Sequence, residues 1–106
     1  MSTWTRVASL DDFAASDAIE VAAGERRIAL ILVGGEVFAT AARCTHGDAA
    51  LCDGFVEGHE IECPLHQGRF DVRTGAALCA PADVALATHP ARLEGDRVEL
   101  RLDRPS

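Results

Sequence analysis

The sequence predicts an all-β fold, an antiparallel sandwich or small barrel with an inserted loop-built segment, and three features predict it. Short apolar runs of strand length recur along the chain, and glycine-bearing turns separate them. The middle, from Cys44 to Thr74, carries Gly47, Gly54, Gly58 and Gly68 but little periodicity. At 106 residues, with 48% hydrophobic and 25% charged residues, the chain has the size and composition of one globular domain spanning 1–106.

Taken in order, WTRVA (4–8) reads as a strand, with Trp4 as core or edge packing. LDDFAAS (10–16) has room for a single helical turn capped by Asp11 or Asp12. AIEVA (18–22) reads as a second strand. RRIALILV (26–33), Gly34-Gly35 and EVFAT (36–40) form two β-leaning runs joined by a Gly-Gly pair, a strong hairpin signal. GFVEGHEIEC (54–63) suits a small hairpin turning at Glu57-Gly58, which would set the two ends of the central segment side by side. HPARL (89–93), Glu94-Gly95-Asp96 and RVELRL (97–102) make a last hairpin, in which Val98, Leu100 and Leu102 alternate with charged residues. Repeats, linkers and low-complexity runs are absent from the sequence.

Charge and composition exclude several functions. The net charge of −7 disfavours nucleic acid and anionic membrane as partners. The longest strongly apolar run, Ile28 to Val33, is far below the roughly 20 residues of a membrane helix. The N-terminal stretch MSTWTRVASLDDF has no apolar signal region, so the expected compartment is the cytoplasm. There thiols stay reduced, and four cysteines favour metal or redox chemistry over a disulfide framework. Between Arg43 and Asp71, six carboxylates face two arginines, a net −4. Around a metal site, such an acidic face reads as a docking surface for a basic partner.

The metal is suggested by residues 44–66, CTHGDAALCDGFVEGHEIECPLH. Cys44 and His46 sit one residue apart, Cys63 and His66 two apart, and sixteen residues separate the pairs. Both histidines lie beside glycine or polar residues rather than on an apolar face. Zinc also takes two thiolates and two imidazoles, but structural zinc sites usually group like with like, two to four residues apart. Mixed pairs suit a binuclear centre in which each loop gives a Cys to one iron and a His to the other, the ligation of a Rieske [2Fe–2S] cluster.

CTH and CPLH resemble the Rieske pattern of Cys-x-His, a spacer, then Cys-x-x-His. CTHGDAALCDGFVEG and CPLHQGRFDVRTG further resemble the small Rieske-type ferredoxins of bacterial aromatic-ring dioxygenase systems. The resemblance implies a cluster-binding subdomain at about 43–75, with Cys44 and Cys63 on the inner ferric iron and His46 and His66 on the outer, redox-active one. It further implies a one-electron carrier that is not itself an enzyme. Such a carrier takes electrons from a ferredoxin reductase, expected to contain flavin, and passes them to a terminal oxygenase, most simply as a monomer. The alternative is the small Rieske-type subunit of an assimilatory nitrite reductase.

Two departures from the high-potential Rieske proteins of respiratory complexes set the expected potential. Their extra loop cysteines are matched by Ala49 and Leu65, and their Ser and Tyr hydroxyl donors by Gly68 and Phe70. Fewer hydrogen bonds to the sulfurs disfavour the added electron, which places the midpoint near the low end of the Rieske range, about −150 mV. Pro64 stiffens the second loop by fixing φ. Cys52 and Cys79 match no ligand position and read as small packed residues, and His59 and His89 as surface histidines. An oxygenase in its own right is disfavoured, because only those two histidines are left for a mononuclear iron.

Overall fold

The run Ile28-Ala29-Leu30-Ile31 does not alternate with polar residues because it is buried on both faces. In the computed structural model, which describes residues 4–43, 49–64, 68–79 and 84–101, all four are at most 1% exposed. They belong to strand β3 (Arg26–Val33), which pairs with β2 (Ala18–Ala23) on one side and β4 (Glu36–Ala41) on the other. Ile28 and Leu30 face one apolar cluster and Ala29 and Ile31 the other, as the two-residue period of a strand dictates. The β3–β4 turn falls on Gly34-Gly35, as the sequence predicts. Both glycines have positive φ (56° and 84°), which suits the twist of a two-residue hairpin.

The first cluster is closed by a three-stranded sheet of β1 (Thr5–Ser9), β11 (Arg97–Leu100) and β10 (Ala91–Glu94), in that order. Ala8, Val98 and Leu100 of this sheet meet Ile28, Leu30, Val37 and Ala39, with Phe13 capping the end. The predicted helical turn is a 3₁₀ turn at Leu10–Phe13, but its cap position is Ser9 rather than an aspartate. Asp12 instead reaches back to accept the Ser9 N–H at 3.0 Å. Trp4 is half-buried at the edge of this sheet, with the Arg92 guanidinium 4.3 Å and that of Arg101 5.4 Å from its ring centre.

The strand expected at 89–93 is two strands in different sheets. β9 (Thr88–His89) pairs with β4 at Ala39 and Thr40, whereas β10 pairs with β11 from Ala91 onward. Pro90 lies between them. It has no N–H to extend the β4 ladder, while its carbonyl accepts the Arg101 N–H at 3.0 Å, so the chain changes sheets there.

A third sheet carries the central segment: β5 (Phe55–Glu57), β6 (Glu60–Glu62), β7 (Arg69–Asp71) and β8 (Ala77–Cys79), antiparallel in that order. Ile61, Phe70 and Val72 meet Ala18, Ala29 and Ile31 across the second cluster. The β5–β6 hairpin exists as expected, but its turn is Gly58-His59, since Glu57 pairs with Glu60. Strands β7 and β8 were not expected from the sequence. No helix among the described residues is long and apolar enough to cross a membrane.

Candidate metal centre

Of the four expected ligands, Cys63 lies among the described residues. Cys44, His46 and His66 fall at 44–48 and 65–67, outside them. The structure does describe what closes each loop. At the first, Arg43 and Ala50 form an antiparallel bridge, and the Leu51 N–H donates to the Ala42 carbonyl at 2.9 Å. The chain then makes a 3₁₀ turn at Leu51–Asp53, where the Gly54 N–H donates to the Leu51 carbonyl at 2.9 Å before β5 begins. At the second, β6 and β7 pair up to Glu62 opposite Arg69, and the Cys63 N–H adds one more bond, 2.7 Å to the Gly68 carbonyl. Each loop is therefore cinched by backbone hydrogen bonds at its base, which fixes where the chain leaves and where it returns.

The two bases share one apolar floor. Cys63 is fully buried in the second cluster, beside Leu51, Ile61 and Phe70, each 0% exposed. Ala49, the first described residue after the first loop, is buried in the same cluster. A sulfur donor at the mouth of a hairpin and walled off from water fits the thiolate-bound inner iron of the expected donor set. Gly68 is buried and Phe70 fully so, and neither side chain offers a hydroxyl.

Outward, the alternation FVE, EIE, RFD turns Phe55, Glu57, Glu60, Glu62, Arg69 and Asp71 to the opposite face of the sheet from Ile61 and Phe70. Arg69 gathers three carboxylates there: Glu62 at 3.2 Å, Glu60 at 3.3 Å and Glu57 at 3.7 Å. The hydrogen bond to Glu60 and the charge of Glu62, with a lesser part from Glu57, push its guanidinium pKa up against an opposing desolvation. Asp71 is held by Arg73 through 2.9 and 3.1 Å side-chain bonds, and that pairing lowers its carboxyl pKa. Phe55 stands among these charges at 70% exposure. Sequence reasoning found the acidic segment but missed this aromatic, although the FVE alternation places it on the face of Glu57.

Cys52 is half-buried against the second cluster, consistent with a packed residue. Burial first, then Asp53 and Glu20, push its thiol pKa up, which keeps it protonated and poorly nucleophilic. The side chain of Cys79 lies outside the described set. The two remaining histidines, expected at the surface, are partly exposed there. His59 is half-buried and meets the Phe38 ring edge-on, with centroids 5.6 Å apart. His89 is half-buried in β9, and its pKa is lowered by burial and secondarily by the Arg26 charge.

Comparison with known proteins identifies what is built on this scaffold. The model of the Rieske [2Fe–2S] domain family matches residues 3–90. The chain is 50% identical over 100 residues to the ferredoxin component of the naphthalene 1,2-dioxygenase/salicylate 5-hydroxylase systems of a Ralstonia species, covering 94% of this chain and 96% of that one. Its fold is similar to the ferredoxin of carbazole 1,9a-dioxygenase from Nocardioides aromaticivorans IC177, with TM-score 0.85 and 32% identity over 92% of this chain and 96% of that chain. It is also similar to a chain in the complex of reduced oxygenase and oxidized ferredoxin of carbazole 1,9a-dioxygenase, with TM-score 0.82 and 33% identity over 92% of this chain and 91% of that one.

Proposed function

Because the chain belongs to the Rieske [2Fe–2S] domain family, we propose that it is the one-electron carrier of an aromatic-ring dioxygenase system. The observation that carries this reading is the nearly end-to-end match to a component named as a dioxygenase ferredoxin. Its role is electron transfer and not catalysis. The nitrite reductase alternative has no support of that strength.

Cys44 and Cys63 would hold one iron and His46 and His66 the other. When bound, such a cluster takes up one electron and gives it back. The chain's own residues do the rest. Backbone hydrogen bonds at Leu51 and Cys63 hold the loop bases, and the apolar floor of Leu51, Ile61 and Phe70 keeps water from the inner side. Gly68 and Phe70 supply no side-chain hydroxyl, which supports a midpoint at the low end of the Rieske range, about −150 mV. That level suits a donor such as a flavin-containing reductase and an oxygenase as acceptor. A monomer in the cytoplasm is the simplest form of such a shuttle.

The outer face of β5–β7 suits the encounter with both partners. Its carboxylates outnumber its arginines, and Phe55 adds apolar contact area beside them on the edge strand. The partners' complementary surfaces would be basic. Reconstitution of reductase, this protein and a naphthalene-type oxygenase tests the reading. Oxygenation should depend on this protein, and its rate should fall as ionic strength rises from about 0.01 to 0.15 M, where the screening length shrinks from about 30 to 8 Å. Oxygenation that proceeds equally well without it would remove the carrier role, and a flat salt dependence would remove the electrostatic docking.

A further inference from the structure

Gly54 occupies a position where conformation does not demand glycine. Its φ of −87° and ψ of −161° lie in extended space open to any residue. Space demands it. A Cβ there would collide with the Glu62 carbonyl oxygen, and would lie 3.0 Å from the Glu62 carbonyl carbon and 3.2 Å from the Leu51 oxygen. All three atoms are backbone, so no side-chain rotation relieves the clash.

The two segments in contact are those that lead away from one loop and into the other. Leu51 is tied back to Ala42 across the base of the first loop, and Gly54 is tied to Leu51. Glu62 precedes Cys63, whose N–H is tied to Gly68 across the base of the second loop. From the Ala42–Leu51 bond, through Gly54 against Glu62, to the Cys63–Gly68 bond, backbone touches backbone throughout. We propose that Gly54 is a positioning residue that sets the spacing of the two ligand loops by letting these backbones meet. The inference rests on the reading of Cys44, His46, Cys63 and His66 as ligands.

A built-in control exists. A Cβ at Gly75 would collide with the Leu86 carbonyl in the same way, with a positive φ of 81° adding further strain, but that contact, although it lies at the same apolar floor, does not join the two loop bases to each other. The test compares Gly54→Ala and Gly75→Ala in the holo-protein by melting temperature, rate of iron loss to a chelator, and electron paramagnetic resonance of the reduced form. Both should melt lower than the parent protein. Only Gly54→Ala should lose iron about tenfold faster or more, the scale seen when groups that orient metal ligands are removed, and only it should shift the resonance positions. Parental iron retention and spectrum in Gly54→Ala would overturn the proposal, as would equal iron loss in both variants.

Should Gly54→Ala fail to fold, hydrogen exchange of the unaltered protein decides. Residues 50–54 and 60–63 should open as one unit, and independent opening of the second segment, many-fold faster than the first, would overturn the coupling. An unaltered protein that holds no iron would remove the ligand reading itself. An iron-loaded one indifferent to Gly54→Ala would remove only this inference.

Discussion

The two apolar clusters sit on opposite faces of one strand and are built differently. The cluster under β1, β10 and β11 is made of residues such as Ile28, Leu30, Val37, Val98 and Leu100, and every one of them is spent on packing. The cluster under β5–β8 is equally buried but includes Cys63, with Ala49 and Leu51 at the base of the other loop. One face of β3 thus holds the molecule together and the other floors the proposed site. A core residue facing the first cluster should affect stability alone, whereas one facing the second should affect stability and cofactor together.

The sharpest way to break that distinction is a pair of substitutions. Leu30→Ala should cost about 2–5 kcal/mol of stability, as buried leucine truncations do, yet leave the visible spectrum per folded molecule unchanged. Cys63→Ala should abolish that spectrum and the bound iron. Iron analysis with thermal melts checks both, and a Cys63→Ala protein that keeps its full iron complement would refute the assignment.

A smaller effect is expected on the outward face of the same sheet. Phe55→Ala should leave the melting temperature within about a degree of the parent, since surface substitutions rarely matter to stability. It should raise the concentration needed for half-maximal oxygenase turnover about fivefold or more, the scale of an exposed aromatic anchor at an interface. Unchanged turnover would locate docking elsewhere.

The smallest effect separates the β9 edge from both clusters. His89 has a folded pKa lowered by burial and Arg26, so the unfolded chain binds its proton more readily. Stability from this group is therefore full above the unfolded value of about 6.5 and is lost as pH falls through the interval down to the folded one. Asp71 acts in the same direction at more acidic pH, because Arg73 lowers its carboxyl pKa. His89→Gln should flatten the limb of a melting-temperature profile just below pH 6.5, and an unaltered limb would assign it to other groups.

These differences also explain what could be read from the sequence. The Gly34-Gly35 hairpin was legible because its turn chemistry is local, and the family was legible in CTH and CPLH because such a spacing is a local pattern that chance rarely produces. The sheet change at Pro90 was not legible. Proline signals a broken ladder but not which strand the chain joins next. The double burial of Ile28 to Ile31 appeared only as a run without alternation, which a strand or a buried helix segment would both show. Gly54 was invisible as a close approach because its partner, the Glu62 carbonyl, is eight residues away and backbone carries no sequence signature. The partial cover on His59 was not legible either, since the Phe38 ring that meets it comes from a distant strand.

The central claim is that this scaffold carries one Rieske-type [2Fe–2S] cluster poised for low-potential electron transfer. An anaerobic redox titration of the purified protein, followed by electron paramagnetic resonance with iron and sulfide analysis, tests it most directly. The account predicts about two irons and two sulfides per chain and a one-electron Rieske-type signal with a midpoint near the low end of the range, about −150 mV. A colourless, resonance-silent protein holding one zinc per chain would contradict it.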